Sequence, residues 1–219
     1  NPDIVWSSAS GMGPLGGIVT RYNVNTGQYR QVEVWPEFPV GHPASDAKFR
    51  FQWTFPLLIS PHDNNTVYVT SQHVHRTTNK GQTWEVISPD LTLNDKNKQG
   101  FSGGLTGDNI NVEYANVIYA FEESPVQKGV FWAGTNDGLV QISKDGGATW
   151  TNVTKNIPNL PKDGVVRNID ASKWDAGKAY LTIEFHQVGN FKPYVYKTSN
   201  YGQTWQKITD GIEDTGLNY

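Results

Sequence analysis

An all-β fold, and within that class a β-propeller, is what this sequence predicts, and three observations predict it. One short motif, Ser/Thr-x-Asp/Asn-x-Gly-x-Thr-Trp, occurs at 77–84, 143–150 and 198–205. The intervals between its central positions Asn79, Asp145 and Asn200 are 145 − 79 = 66 and 200 − 145 = 55. Recurrence at roughly 40–60 residues, with several short strands per copy, is the mark of a propeller. An apolar strand enters each copy (74–77, 139–143, 194–198) and another leaves it (84–87, 150–153, 205–208), so the motif must turn a hairpin. The composition agrees: 22 Gly, 8 Trp and 12% aromatic residues against 18% charged suit short strands joined by tight turns.

Each motif position has a physical task. Asn79, Asp145 and Asn200 are expected to accept backbone N–H bonds two residues on, as in an Asx-turn. Gly81, Gly147 and Gly202 supply a positive φ without steric cost. The hydroxyl residues tie the turn to the backbone. Trp84, Trp150 and Trp205 pack their rings against the hairpin. All nine residues are therefore expected to be structural.

The chain reads as one propeller segment, 1–219, with a partial first blade at 1–35 and full blades at 50–90, 113–155 and 163–210. The expected strands of blade two are 51–59, 66–70, 74–77 and 84–87. Those of blade three are 117–122, 130–133, 139–143 and 150–153. Those of blade four are 166–171, 179–185, 194–198 and 205–208. No helix is expected. In blade one, 1–6 aligns with the second strand of blade two, and 18–22 and 29–34 make a third and fourth strand around a degenerate turn at Asn25-Thr26-Gly27. The innermost strand of that blade is missing. An arc of three to four blades exposes the faces of its end blades, so further blades from the same or another chain are expected to cover them. Pairing of Leu217–Tyr219 onto the strand at Ile4–Ser8 would instead close the ring within the chain.

The motif resembles the Asp box, or bacterial neuraminidase repeat, of sialidases, xyloglucanases, sortilin-type receptor domains and photosystem assembly factors. The runs Phe49-Arg50-Phe51-Gln52-Trp53-Thr54-Phe55-Pro56, Ile59-Ser60-Pro61-His62-Asp63 and Ile87-Ser88-Pro89-Asp90-Leu91-Thr92 resemble large secreted bacterial proteins with sortilin-like propellers, usually labelled glycosyl hydrolase. The resemblance covers nearly the whole chain. It implies boxes at the outer rim between third and fourth strands, and a secreted, periplasmic or cell-surface location. It implies little about activity, because the glycosyl hydrolase label itself rests on the repeats. Sialidases carry a Phe-Arg-Ile-Pro motif and three convergent arginines, and related xyloglucanases a catalytic Asp in an Asp-Val-Gly-Gly-type turn. This sequence has neither motif.

Composition narrows the function classes. Cys is absent, which excludes disulfides and thiolate metal sites. The net charge of −3 gives no nucleic-acid footprint. No apolar run approaches the ~20 residues of a membrane span. The histidines lack the spacing of a zinc site, 90–100 lacks the EF-hand pattern, and the Gly-rich 103–107 precedes no helix, so no metal and no cofactor are expected. The first residue, Asn1, reads as the start of a processed or excised chain.

Turns of a four-stranded meander alternate between two faces. The motif turns share one face. The two-to-three turns share the other with the long inter-blade segments 35–50 and 90–113, and long irregular loops carry function more often than not. Any ligand should therefore meet Arg50, His73, Asn136, Asp137 or His186, with Gln72 and Gln187 beside them. Candidate catalytic acids are Asp46, Asp108 and Asp137, with Asp95 and Glu113 near; a glycosidase needs two carboxyls about 5–10 Å apart. Trp35, Phe38, Phe101, Tyr114, Trp174 and Phe191 could stack on sugars or meet a protein. The reading this supports is a binding or scaffold propeller module within a larger protein or assembly. A xyloglucanase- or sialidase-like glycoside hydrolase is the first alternative. A sortilin-like receptor holding a peptide against a blade edge is the second.

Overall fold

A computed structural model describes residues 3–9, 17–37, 40–110 and 113–214. The chain divides into two compact units, Asn1–Ile118 and Tyr119–Tyr219. The first holds a three-stranded sheet, β1 (Ile4–Ala9), β2 (Ile18–Asn23) and β3 (Gln28–Gln31), and a four-stranded one, β4 (Leu57–Ile59), β5 (Val67–Thr70), β6 (Val74–Thr77) and β7 (Glu85–Val86). The second holds the four-stranded sheets β8 (Ile118–Glu123), β9 (Phe131–Thr135), β10 (Val140–Ser143), β11 (Thr151–Asn152) and β12 (Val165–Ala171), β13 (Ala179–Glu184), β14 (Val195–Thr198), β15 (Gln206–Lys207); β8 begins on the last residue of the first unit. Every sheet is a meander in chain order. The first sheet has no innermost strand among the described residues.

One measure is constant across all four sheets. The residue after the last strand donates its N–H to a carbonyl near the start of the strand before it: Val32 to Val19, Ile87 to Val74, Val153 to Val140 and Ile208 to Val195, at 2.8–2.9 Å. The interval along the chain is the same each time (32 − 19 = 87 − 74 = 153 − 140 = 208 − 195 = 13). The first sheet keeps this length although its turn lacks the motif.

The three motif turns share one hydrogen-bond pattern. Thr77, Ser143 and Thr198 hydroxyls donate to the side-chain oxygens of Asn79, Asp145 and Asn200 at 2.8–3.0 Å, and accept from the N–H of Gly81, Gly147 and Gly202. The same side-chain oxygens accept the N–H of Thr83, Thr149 and Thr204 at 2.9–3.0 Å. The bond thus reaches four residues on, not the expected two, because the acid or amide spans the base of a longer turn. The fourth residue's hydroxyl adapts to its partner: Asn79 and Asn200 donate Nδ2–H to Thr83 and Thr204, whereas Thr149 donates to Asp145 Oδ2 at 2.6 Å. These bonds hold the Asp145 carboxyl down to about 2, with Thr149 the main cause.

Within each unit the motif glycine meets the preceding sheet. A Cβ on Gly81 would lie 2.6 Å from Val32 Cβ, and one on Gly202 would lie 2.9 Å from Val153 Cγ2. Trp84 donates its indole N–H to Val32 O at 2.8 Å. Asn156 donates to Gly202 O at 2.9 Å. Trp205 meets the buried Trp132 edge-on at 5.9 Å. Trp132 and Tyr196 are sealed in the core of the second unit. Rings of this size remove ~150–250 Å² from water, worth about 4–6 kcal/mol each before entropy is counted. Gly134 of β9 lets β12 approach: a Cβ there would fall 2.2 Å from Val166 Cγ1.

Two expectations need correction. The first strand of the second sheet covers only Leu57–Ile59, not 51–59. Phe51 and Phe55 turn into the core, Gln52 forms a lone bridge to Glu113, and Pro56 has no N–H to give a ladder. Among the described residues three single turns of 3-10 helix occur where no helix was expected, at Lys96–Lys98, Thr154–Asn156 and His186–Val188. Phe38 and Leu217–Tyr219 lie outside the described residues.

Candidate functional site

In the first unit, segments 40–50 and 90–110 are held in place by buried polar side chains. Arg50 is 4% exposed. Its Nε–H donates to Asn116 O and its Nη2–H to Asp90 Oδ2, both at 3.0 Å. Its backbone N–H donates to Gln72 Oε1, and Gln72 Nε2 reaches back to Lys48 O. Asp90 Oδ1 caps the next turn by accepting from Thr92. Gln99, fully buried, donates to Asn94 and Asn116 side chains. Asp95 caps the turn at Lys96–Lys98 by accepting the Asn97 N–H. Arg50, a sequence candidate for ligand contact, therefore anchors these loops from inside.

Beside this network lies a cavity of about 220 Å³, walled by Lys98, Ser102, Asp108, Asn109, Glu113 and Tyr114 among others. Ser102 donates to the Asp108 carbonyl and to Asn109 Oδ1, which closes the 102–109 loop. Trp53 donates its indole N–H to Glu113 Oε1 at 3.3 Å and so orients that carboxylate. Burial, then the charges of Glu37 and Asp46, push the Tyr114 phenol up to about 12, so it stays a neutral hydrogen-bonding group. Phe101 and Trp53 are exposed at 77% and 42%. Of the three sequence acids, Asp108 lines the cavity. Asp46 is exposed, 3.6 Å from His42, and Asp137 belongs to the second unit.

The two-to-three turns are polar. His73 Nδ1 lies 3.1 Å from Ser88 O. Its neighbour His75 is buried against Phe49 and Ser71, and burial, helped by His73, lowers it to about 3, so it is neutral at physiological pH. Asp137 accepts from the Thr135 hydroxyl in the same turn that holds Asn136. His186 Nδ1 sits 3.3 Å from Glu184.

The second unit also holds a polar cluster that the sequence reading missed. Arg167 is the extra residue of a β-bulge in β12, touches the Tyr119 hydroxyl of β8 and lies 3.6 Å from Glu184. Glu122, on β8, is pushed up to about 7 by burial and then by the charge of Asp170 on β12. The available signal was the pair Glu122-Glu123 closing an otherwise apolar strand. Among the described residues no group of three or more His, Cys, Asp or Glu is placed to hold a metal ion. No helix of the described residues is long and apolar enough to cross a membrane.

No known protein-family pattern matches the chain, and no curated protein matches it. Solved structures do. A GH74 xyloglucanase from Xanthomonas campestris superposes with a TM-score of 0.61 at 16% identity, over 95% of this chain and 29% of that one. A GH74 enzyme from Niastella koreensis gives 0.59 at 16% identity, over 97% of this chain and 29% of that one. The fold is a β-propeller. At these identities the likeness speaks for the fold alone. The propeller segment spans less than a third of the length of either enzyme chain.

Proposed function

We propose that this chain is a ligand-binding propeller module, working among further blades, that takes one ring of a glycan in the Asp108–Glu113 cavity. The cavity carries the proposal. Its volume of about 220 Å³ falls below the ~300–1,000 Å³ of sites for drug-sized ligands, so it suits a single residue of a chain molecule. Carboxylate, amide and hydroxyl side chains in its wall match sugar hydroxyls, and the exposed rings of Phe101 and Trp53 offer stacking surface. The buried Arg50–Asp90 pair fixes the loops before any ligand arrives, which lowers the ordering cost of binding. His73 of the same unit would add a contact from its own turn, while Asn136, Asp137 and His186 would be separate contacts within the second unit. The motif turns, as Asp boxes, would be structural, and a secreted setting fits this role. A glycan array followed by calorimetry tests the reading. Binding of at least one oligosaccharide should weaken tenfold or more in Asp108→Asn. An array without hits sinks the proposal.

A second reading rests on Asp108 and Glu113 facing one cavity, since a hydrolase needs two carboxyls. Reducing-end release from a polysaccharide panel, lost in both Asp108→Asn and Glu113→Gln while binding persists in either, would favour it.

A further inference from the structure

The first sheet buries only one face. Trp6, Val19 and Val32 pack with Phe51, Phe55 and Val69 of the first unit. On the opposite face Val5 stands across from Tyr22, and Tyr22 from Tyr29. This cross-strand row is exposed at 48%, 40% and 72%. Contiguous apolar surface of this kind marks an interface.

The packing of the other hairpins says what fits there. Val32 sits against the Gly81 turn, and Val153 against the Gly202 turn. In both cases the aliphatic residue that closes one hairpin docks on the turn of the next sheet. Tyr29 follows Val19 by the interval that separates Trp84 from Val74 (29 − 19 = 84 − 74 = 10), so it holds the place of the motif tryptophan. Trp84 in that place is covered by Val32; Tyr29 is bare. The turn beside it contains Gly27, one residue beyond the motif glycine's place, and apart from its own chain neighbours nothing lies within 4 Å of where its Cβ would be. The matching piece exists elsewhere in the chain. Ile208 closes the last hairpin as Val32 and Val153 close theirs, and it is only half-buried.

We propose that the outer face of the β1–β3 sheet seats the β12–β15 sheet of a second copy of this chain, head to tail, with Ile208 of the second copy against turn 24–27 and its hairpin over Tyr22 and Tyr29. The contact repeats between copies what the chain makes twice within itself. It is heterologous, so copies add in one direction and either close a ring or extend.

Size-exclusion chromatography with light scattering on the 219-residue chain tests this. Wild type should run above 24.4 kDa, and larger as concentration rises. Tyr22→Asp with Tyr29→Asp disables one side, and Ile208→Asp the other; each should run as a monomer. Because each variant keeps one intact side, their equimolar mixture should form a pair of twice the monomer mass. Recovery in the mixture separates a blocked interface from a misfolded chain. If Ile208→Asp loses its circular dichroism, the doubly substituted face variant still decides, since its two sites are exposed. A wild type that stays at 24.4 kDa at every concentration, or face variants that associate as wild type does, overturns the proposal.

Discussion

Gly134→Ala adds one methyl group where β9 and β12 come closest. The new Cβ would lie 2.2 Å from Val166 Cγ1, 2.7 Å from Val166 Cβ and 3.2 Å from Ile169 Cδ1. Carbon atoms prefer about 3.5–4.0 Å, so the sheets must part or Val166 must turn. Overpacking of a core costs about 1–3 kcal/mol. Replacing a strand glycine by alanine returns about 0.5–1 kcal/mol through the unfolded chain. A gap this short takes the upper end of the cost, and the net is about 2 kcal/mol of destabilisation. Val166→Ala alone removes two buried methyl groups, about 1.6 kcal/mol by transfer plus a cavity term. In the double variant the shortest contact, with Val166 Cγ1, is gone, and of the contacts with residue 166 only the one with its retained Cβ remains. The double should therefore be more stable than the sum of the singles by about 1–2 kcal/mol. Urea unfolding followed by tryptophan fluorescence reads all four corners of the cycle, since Trp132 lies close to Gly134 on the same strand. A Gly134→Ala variant as stable as wild type, or strict additivity, would refute the packing described for these sheets.

Three further outcomes are expected. Gly81→Ala combines a left-handed φ of +80° with a Cβ 2.6 Å from Val32, and should cost about 3 kcal/mol, whereas Gly27→Ala, at φ +68° with open space, should cost only about 1 kcal/mol; equal losses in urea midpoints would dispute the docking of Val32. Asp145 is held down to about 2, so its stabilising effect is complete above the ordinary 3.8 and fades as pH falls through 2; Asp145→Asn, which copies Asn79 and Asn200, should remove that part of the acid response in a pH series of melts. Glu122 is pushed up to about 7, so stability is highest below the ordinary 4.5 and declines as pH rises through 7; Glu122→Gln should flatten that decline, and an unchanged pH profile would contradict the burial of its carboxyl.

What the sequence discloses is what lies close along the chain. Asn79, Asp145 and Asn200 have their partners within four residues, so the motif alone reveals the hairpins and their order. Asp108 and Glu113 stand near each other in one loop, and their shared cavity could be anticipated. Arg50 could not be placed this way. A charged residue after a loop reads as solvent-facing, and its burial depends on Asp90, forty residues on, and on the carbonyl of Asn116. Glu122 and Asp170 influence each other although they are far apart in the chain, through strands whose neighbourhood no local pattern encodes. The strand expected at 51–59 fails for a related reason. Its alternation suits a ladder, but Pro56 cannot donate, and Phe51 gains more by filling the core.

The constant closure interval has a consequence for how such a molecule can be altered. Because every hairpin spans the same length between its two closing bonds, the stretch from Ser143 to Trp150 and the stretch from Tyr22 to Tyr29 occupy the same slot in their sheets. The turn is a cassette of fixed length with standard ends. Transplanting one copy into another sheet changes neither strand register nor which side chains face inward, whereas inserting a single residue would reverse every side chain beyond it. Sequence drift inside the cassette is thus tolerated, even to the point where the first sheet has lost the motif altogether, while changes of length are not.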